Sequence, residues 1–205
     1  MLEVPIHYGK LVIRGFLKMR TLAVLVGLAT AAWCDNSLTR GERKDGFQLL
    51  FDGKSLARWH SIRTAGGGGA WHGRKGVLTY DPGESWLCTD ESYYDFVLRL
   101  EYRTGAGSES TILLRAPAQG APVPGMDFPI RAARPGEWNL VEISAIKRKL
   151  TATLNGEKVL DVTLDDTKPA YGHIGLQAHA KGAPVEFRNI RVKVLRIGPG
   201  FPPEQ

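Results

Sequence analysis

Cysteine is nearly absent: Cys34 and Cys88 are the only two in 205 residues. That excludes a disulfide-stapled scaffold, and two cysteines so placed match no zinc spacing. Cys34 lies at the polar start of the mature chain, so two free or buried thiols are expected rather than a bridge. No segment sustains a helical apolar period, so helix should be scarce. No apolar run reaches the ~20 residues of a membrane helix. The sequence also lacks a basic stripe interleaved with aromatics, so nucleic acid is not an expected partner despite a net charge of +6. Half of that excess falls in residues 1–32, where Lys10, Arg14, Lys18 and Arg20 oppose only Glu3. The four glycines at 66–69 are followed by no Lys-Ser/Thr and no helical pattern, which removes a phosphate cradle.

What is present begins with a leader. Met19-Arg20 precedes the uncharged run "TLAVLVGLATAAW", with small residues at Ala29–Ala32. Positive start, short apolar core and small residues together predict a secretory signal peptide. The expected organisation is therefore an N-terminal extension and signal peptide over 1–32, a polar linker over 33–45, one domain over 46–195 and a disordered tail over 196–205. The protein is expected to be exported, to the periplasm or beyond the cell. Trp33, directly before Cys34, argues against lipid anchoring at that cysteine.

From Gly46 onward, short apolar runs are broken by Gly, Pro, Asn and Asp, as in an all-β domain. In "YYDFVLRLEYRT", Tyr94, Phe96, Leu98, Leu100 and Tyr102 alternate with Asp95, Val97, Arg99, Glu101 and Arg103. One buried and one polar face suit an antiparallel sheet. Hairpins are predicted at Arg74-Lys75-Gly76 and at Asn155-Gly156. Many short strands without βα alternation give a two-sheet sandwich or a barrel.

Five ordered motifs carry a family resemblance. They are "GFQLLFDGKSLARWHS", "WLCTDESYYDFVLRLEYR", "TILLRAP", "PGEWNLVEISAIKRKLTATLNGEKVLD" and "GHIGLQAHAKGAPVEFRNIRV". Over roughly residues 46–195 the chain resembles the 3-keto-disaccharide hydrolase domain family. The resemblance implies a concanavalin A-like jelly-roll sandwich of two antiparallel sheets. It also implies a carbohydrate-active hydrolase that cleaves glycosides oxidised at C3. A ketone there acidifies the C2 hydrogen, a base removes it, the C1 oxygen leaves, and water adds back. Three departures stand out: Ser108-Glu109-Ser110-Thr111 replaces Gly-Asn-Ser-Gly, "GMDFPI" replaces a Gly-Tyr-Glu-x-Gln-Ile strand, and only "RAARP" separates Ile130 from Gly136 where the family has a long groove wall.

The expected catalytic residues are His179, Asp127 and Arg115. His179 matches the family Leu-Gln-x-His, and imidazole is a side chain suited to general-base work. Asp127 stands for the family glutamate, one methylene shorter. Arg115 would clamp hydroxyls or an enolate oxygen, with an ion pair to Glu101 as its structural alternative. Gln177 and Glu101 are candidate substrate-binding residues, and Trp71 and Trp86 candidate stacking platforms. Trp59 and Trp138 read as core, and Glu109 as a turn residue. No metal site is expected; calcium is open, because related jelly rolls bind it, but no dense Asp/Asn loop demands it. "LEYRTGAGSE" lacks the clustered acids of a concanavalin-like glucanase. The competing readings are a non-catalytic carbohydrate-binding module with a shortened groove wall, and a surface interaction domain that binds no sugar. The sequence sets no oligomeric state.

Overall fold

Turn chemistry sets the strand boundaries. In this computed structural model the Lys75-Gly76 and Asn155-Gly156 turns hold φ of 52° and 79°, and of 52° and 88°. Two consecutive positive φ values make the tight turn whose twist matches antiparallel strands. The turns close the hairpins β3 (Trp71–Arg74) to β4 (Val77–Tyr80) and β9 (Lys149–Leu154) to β10 (Glu157–Thr163). The structure describes residues 36–63, 70–81, 83, 85–105, 107–118, 126–130, 135–179 and 185–199, with Arg63 and Ala178 described by backbone alone. The predicted leader, Cys34 and the glycines at 66–69 lie outside the described residues.

The centre of the fold is β5 (Ser85–Arg103), long enough to serve two sheets. Its first half pairs with β2 (Trp59–Arg63) and β11 (Gly172–Ala178). Beyond β11 lie β6 (Ser110–Ala116) and β7 (Asp127–Ile130), so one sheet runs β2-β5-β11-β6-β7. Its second half pairs with β8 (Asn139–Ile146) and β12 (Glu186–Ile197). There β10-β9-β8-β5-β12 form the other sheet, and β12 also meets β1 (Phe47–Leu49) and β4. All pairings are antiparallel. The fold is an all-β, jelly-roll-like sandwich, with one five-residue helix, α1 (Arg40–Lys44), among the described residues.

Alternation builds the core. Phe96, Leu98, Leu100 and Tyr102 of β5 pack with Ile112 and Leu114 of β6, Ile174 and Leu176 of β11, and Phe187 and Val192 of β12. The predicted parity slips at one place: Tyr93 is in the core, whereas Tyr94 is half-exposed and stacks on Tyr171 at 4.9 Å. Trp59 is core, and its indole N–H donates to the Leu50 carbonyl at 2.6 Å. Trp138 is not. It lies half-buried beneath two guanidinium groups, Arg188 at 4.1 Å and Arg103 at 4.7 Å from its ring centre.

Described structure continues on both sides of residues 46–195. The segment read as linker is ordered from Asn36 on. The Asn36 N–H donates to Asn189 Oδ1 at 2.6 Å, and the Asn189 N–H donates back to Asn36 Oδ1 at 3.0 Å. Thr39 and Glu42 form a reciprocal capping box, which satisfies first-turn amides that a five-residue helix cannot pair itself. At the other end β12 runs through Ile197, and the Gly198 N–H donates to the Ser92 carbonyl. Residues 200–205 lie outside the described residues.

Candidate functional site

Residues facing each other across an antiparallel pair share a face of the sheet. One row of the β2-β5-β11-β6-β7 sheet is therefore Ile62, Trp86, Gln177, Thr111 and Pro129. The adjacent row is His60, Cys88, Gly175, Leu113 and Asp127. Both lie on the side turned away from the main core. Gly175 makes the second row compact, because a Cβ there would sit 3.1 Å from Leu113 Cβ and 3.2 Å from Cys88 Sγ. Cys88 is a buried free thiol, and burial pushes its pKa up to about 12, so it has no nucleophilic role near neutrality.

Gln177, His179 and Asp127 belong to this face. Thr111 Oγ1 lies 3.3 Å from His179 Nε2, and the Ser110 hydroxyl donates to the Gln177 carbonyl at 2.7 Å. These contacts fix the end of the β6–β11 pair. A cavity of about 600 Å³ opens beside it, lined by Gly107, Ser108, Glu109, Thr111, Pro129 and His179 among others. Ser108 Oγ is buried there without a partner among the described residues. Asp127 is exposed at the start of β7, opposite Leu113, and does not line this cavity.

The other four candidates are used elsewhere. Arg115 is 1% exposed, and its φ of 52° turns it off the face that its spacing from Leu113 implies. Its guanidinium donates to the carbonyls of Tyr94, Lys147 and Pro169, and lies 3.7 Å from Asp95. It therefore neither clamps a groove ligand nor pairs with Glu101. Glu101 instead accepts from Arg188 at 2.8 Å and from Asn189 Nδ2 at 2.9 Å, on the other sheet. Trp71 is core, tilted against Tyr80 and Phe187. Trp86 does sit on the expected face but is 3% exposed, packed with Cys88, Leu113, Ala116 and Ile62. Neither indole offers a free ring face to a sugar.

Two further histidines, His60 and His173, stand at the opposite end of this face. His60 follows core Trp59 by one position, so strand alternation places it on the outer side; that parity was the available signal. Its Nδ1 lies 3.0 Å from Asp90 Oδ1, and its ring stands edge-on to His173 at 5.9 Å. His173 Nδ1 lies 2.8 Å from the Thr89 carbonyl. Burial holds the His173 imidazole below its ordinary 6.5; the Thr89 carbonyl opposes this, and the neighbouring His60 adds to it. A depressed histidine contributes stability that is present above its unfolded value and lost as pH falls below it. Melting temperature is therefore expected to drop as pH decreases from about 6.5. In His173→Asn that acid slope should be shallower; an unchanged slope would assign the loss to other groups. A second cavity, about 580 Å³ and largely apolar, lies beside His173, Pro169, Tyr171 and Pro199.

Among the described residues no three His, Cys, Asp or Glu side chains converge as a metal cluster would require. Among those residues, too, no helix is long and apolar enough to cross a membrane.

Comparison with known proteins places the fold. No curated protein matches the sequence. A crystal structure of a candidate glycosyl hydrolase from Parabacteroides distasonis ATCC 8503 superposes with a TM-score of 0.66 at 20% identity, covering 78% of this chain and 99% of that one. A second candidate glycosyl hydrolase from the same organism gives 0.59 at 21% identity, over 73% and 99% of the two chains. The carbohydrate-binding module CBM66 from Bacillus subtilis gives 0.52 at 14% identity, over 65% and 94%. At these identities the likeness is one of fold. Sequence carries the family: the model of the 3-keto-alpha-glucoside-1,2-lyase-like domain matches residues 46–133 and 127–193. These segments span most of the chain and reach every strand of the sandwich, and the protein belongs to the 3-keto-alpha-glucoside-1,2-lyase-like domain family.

Proposed function

We propose that this protein is an exported hydrolase that cleaves glycosidic bonds of sugars oxidised to the ketone at C3, by elimination across C1–C2 followed by addition of water. The observation that carries the reading is the cavity at the end of the β6–β11 pair. It joins an imidazole, His179, to the hydroxyl of Thr111, with Gln177 on the same row. Proton transfer needs a positioned side chain that can take or give a proton, and a sugar needs hydrogen-bonding partners beside it. Family membership supplies the substrate class, because a C3 ketone is what makes the C2 hydrogen acidic enough to remove. Arg115 and Glu101, held in structural contacts, take no part. Asp127 stands on the adjacent row, where it can meet the far part of a ligand.

The test is aglycone release from alkyl 3-keto-glucosides and from their unoxidised parents. Release is expected from the keto substrate alone, and His179→Ala should lower it by about 10²–10⁴-fold, the usual worth of a positioned acid or base. Undiminished release in His179→Ala would move the chemistry away from this cavity. A second reading is a carbohydrate-binding module, favoured because Arg115, one of the three expected catalytic groups, is held in structural contacts. It predicts binding of the keto-glucoside with no release by the folded wild type.

A further inference from the structure

The cavity that holds His179 also holds a carboxylate with no task so far. The last registered pair between β6 and β11 is Ser110–Ala178. One step outward stand Glu109 and His179. Strand alternation puts both on the face that carries Thr111 and Gln177. Positions facing each other in this way have Cβ atoms roughly 4.5–5.5 Å apart. The Thr111–His179 contact shows that the two strands stay close at this point. Glu109 and His179 line one cavity and are its two titratable groups among the described residues.

Elimination needs two proton transfers. A base takes the C2 hydrogen, the electrons pass through the enolate of the C3 ketone, and the C1–O bond breaks. The departing oxygen must then gain a proton to leave as an alcohol. The sugar is left with a C1–C2 double bond. Water adds its hydroxyl to C1 and a proton to C2, returning base and acid to their starting forms. No oxidant or reductant enters, since the ketone is restored.

We propose that Glu109 is the base that removes the C2 hydrogen, and that His179 is the acid that protonates the leaving oxygen. The assignment rests on the reading above and reverses the role that the sequence suggested for His179. Glu109 is exposed to the cavity, where its carboxylate can reach a bound sugar, and the His179 imidazole can donate a proton from the facing position. Carboxylates beside a ketone perform this abstraction in other folds. Asp127 is displaced by one row and does not line the cavity.

Two leaving groups separate the roles. Methyl and 4-nitrophenyl 3-keto-glucosides would be incubated in D2O with wild type, Glu109→Gln and His179→Asn. Release and deuterium incorporation at C2 are both followed. Loss of the base should lower release about 100-fold or more from both substrates and stop C2 incorporation. Loss of the acid should lower release of methanol by a similar factor and leave nitrophenol release, which needs no proton, little changed. Equal melting temperatures would exclude misfolding, and Glu109→Asp, which keeps the carboxylate, should recover part of the loss. Retained C2 incorporation in Glu109→Gln, or loss confined to the methyl substrate, would overturn the assignment. A folded wild type inert toward both substrates would overturn the underlying reading itself.

Discussion

Replacement of Arg115 by methionine is expected to destabilise the fold by about 3–5 kcal/mol, the usual cost of breaking a buried charged network from one side. Methionine has nearly the right volume, so little of the loss would come from a cavity. What disappears is the set of donors to the carbonyls of Tyr94, Lys147 and Pro169. Those carbonyls lie on three separate segments, at part-buried contacts, and an acceptor left unmet away from water costs roughly 1–3 kcal/mol. Asp95 keeps the Lys147 N–H at 2.6 Å and Arg196 at 3.2 Å, so it is not stranded, which holds the total near that range. Urea unfolding monitored by tryptophan fluorescence gives the number. A loss below about 1 kcal/mol would mean that water replaces the guanidinium at all three carbonyls.

The second large effect is expected at Glu42, in a stretch whose polar composition reads as a tether. Its carboxylate lies 2.9 Å from the Arg191 guanidinium, whose side chain is only 3% exposed. The same oxygen is 3.8 Å from Arg99, and its partner oxygen accepts from the Thr39 N–H. Glu42→Ala removes the ion pair and half of the capping box together. Stability should fall by about 3 kcal/mol. The exposed Arg58–Glu91 pair at 3.3 Å is the contrast: Glu91→Ala should cost roughly 0–1 kcal/mol. Equal effects in the two variants would show that α1 is not held against the sheet in solution.

The sheet was legible because its signals are local. Turn dipeptides that tolerate positive φ and the alternation in β5 need no knowledge of partners. Arg115 was misplaced because parity fails at a residue in left-handed backbone, and Glu101 because its half of β5 pairs with β8 and β12 in the other sheet. Nothing in "TILLRAP" announces that φ. Trp71 and Trp86 were misread because an indole in a β protein serves core and sugar equally well, and only the packing partner decides. The order in residues 36–45 was hidden for a related reason. Asn36 and Glu42 are satisfied by Asn189 and Arg191, about 150 positions away in the chain. Gln177 and His179 were placed on one face correctly, because a spacing of two within a strand is the most reliable geometry that a sequence offers.

The division of β5 between two sheets also governs how quickly the native state is reached. On one flank β8, β9 and β10 are joined by successive hairpins, and β8 reaches β5 over 37 residues at its nearest pair, Tyr102 with Asn139. Its other flank waits for β12; the Arg188–Glu101 contact alone closes 87 residues. Folding dominated by such distant pairings proceeds in milliseconds to seconds rather than microseconds. Until β12 docks, one edge of the longest strand stays open, and the apolar row from Phe96 to Tyr102 lacks the cover of Phe187 and Val192. That interval, rather than any weakness of the finished sandwich, is when the chain is most exposed to aggregation.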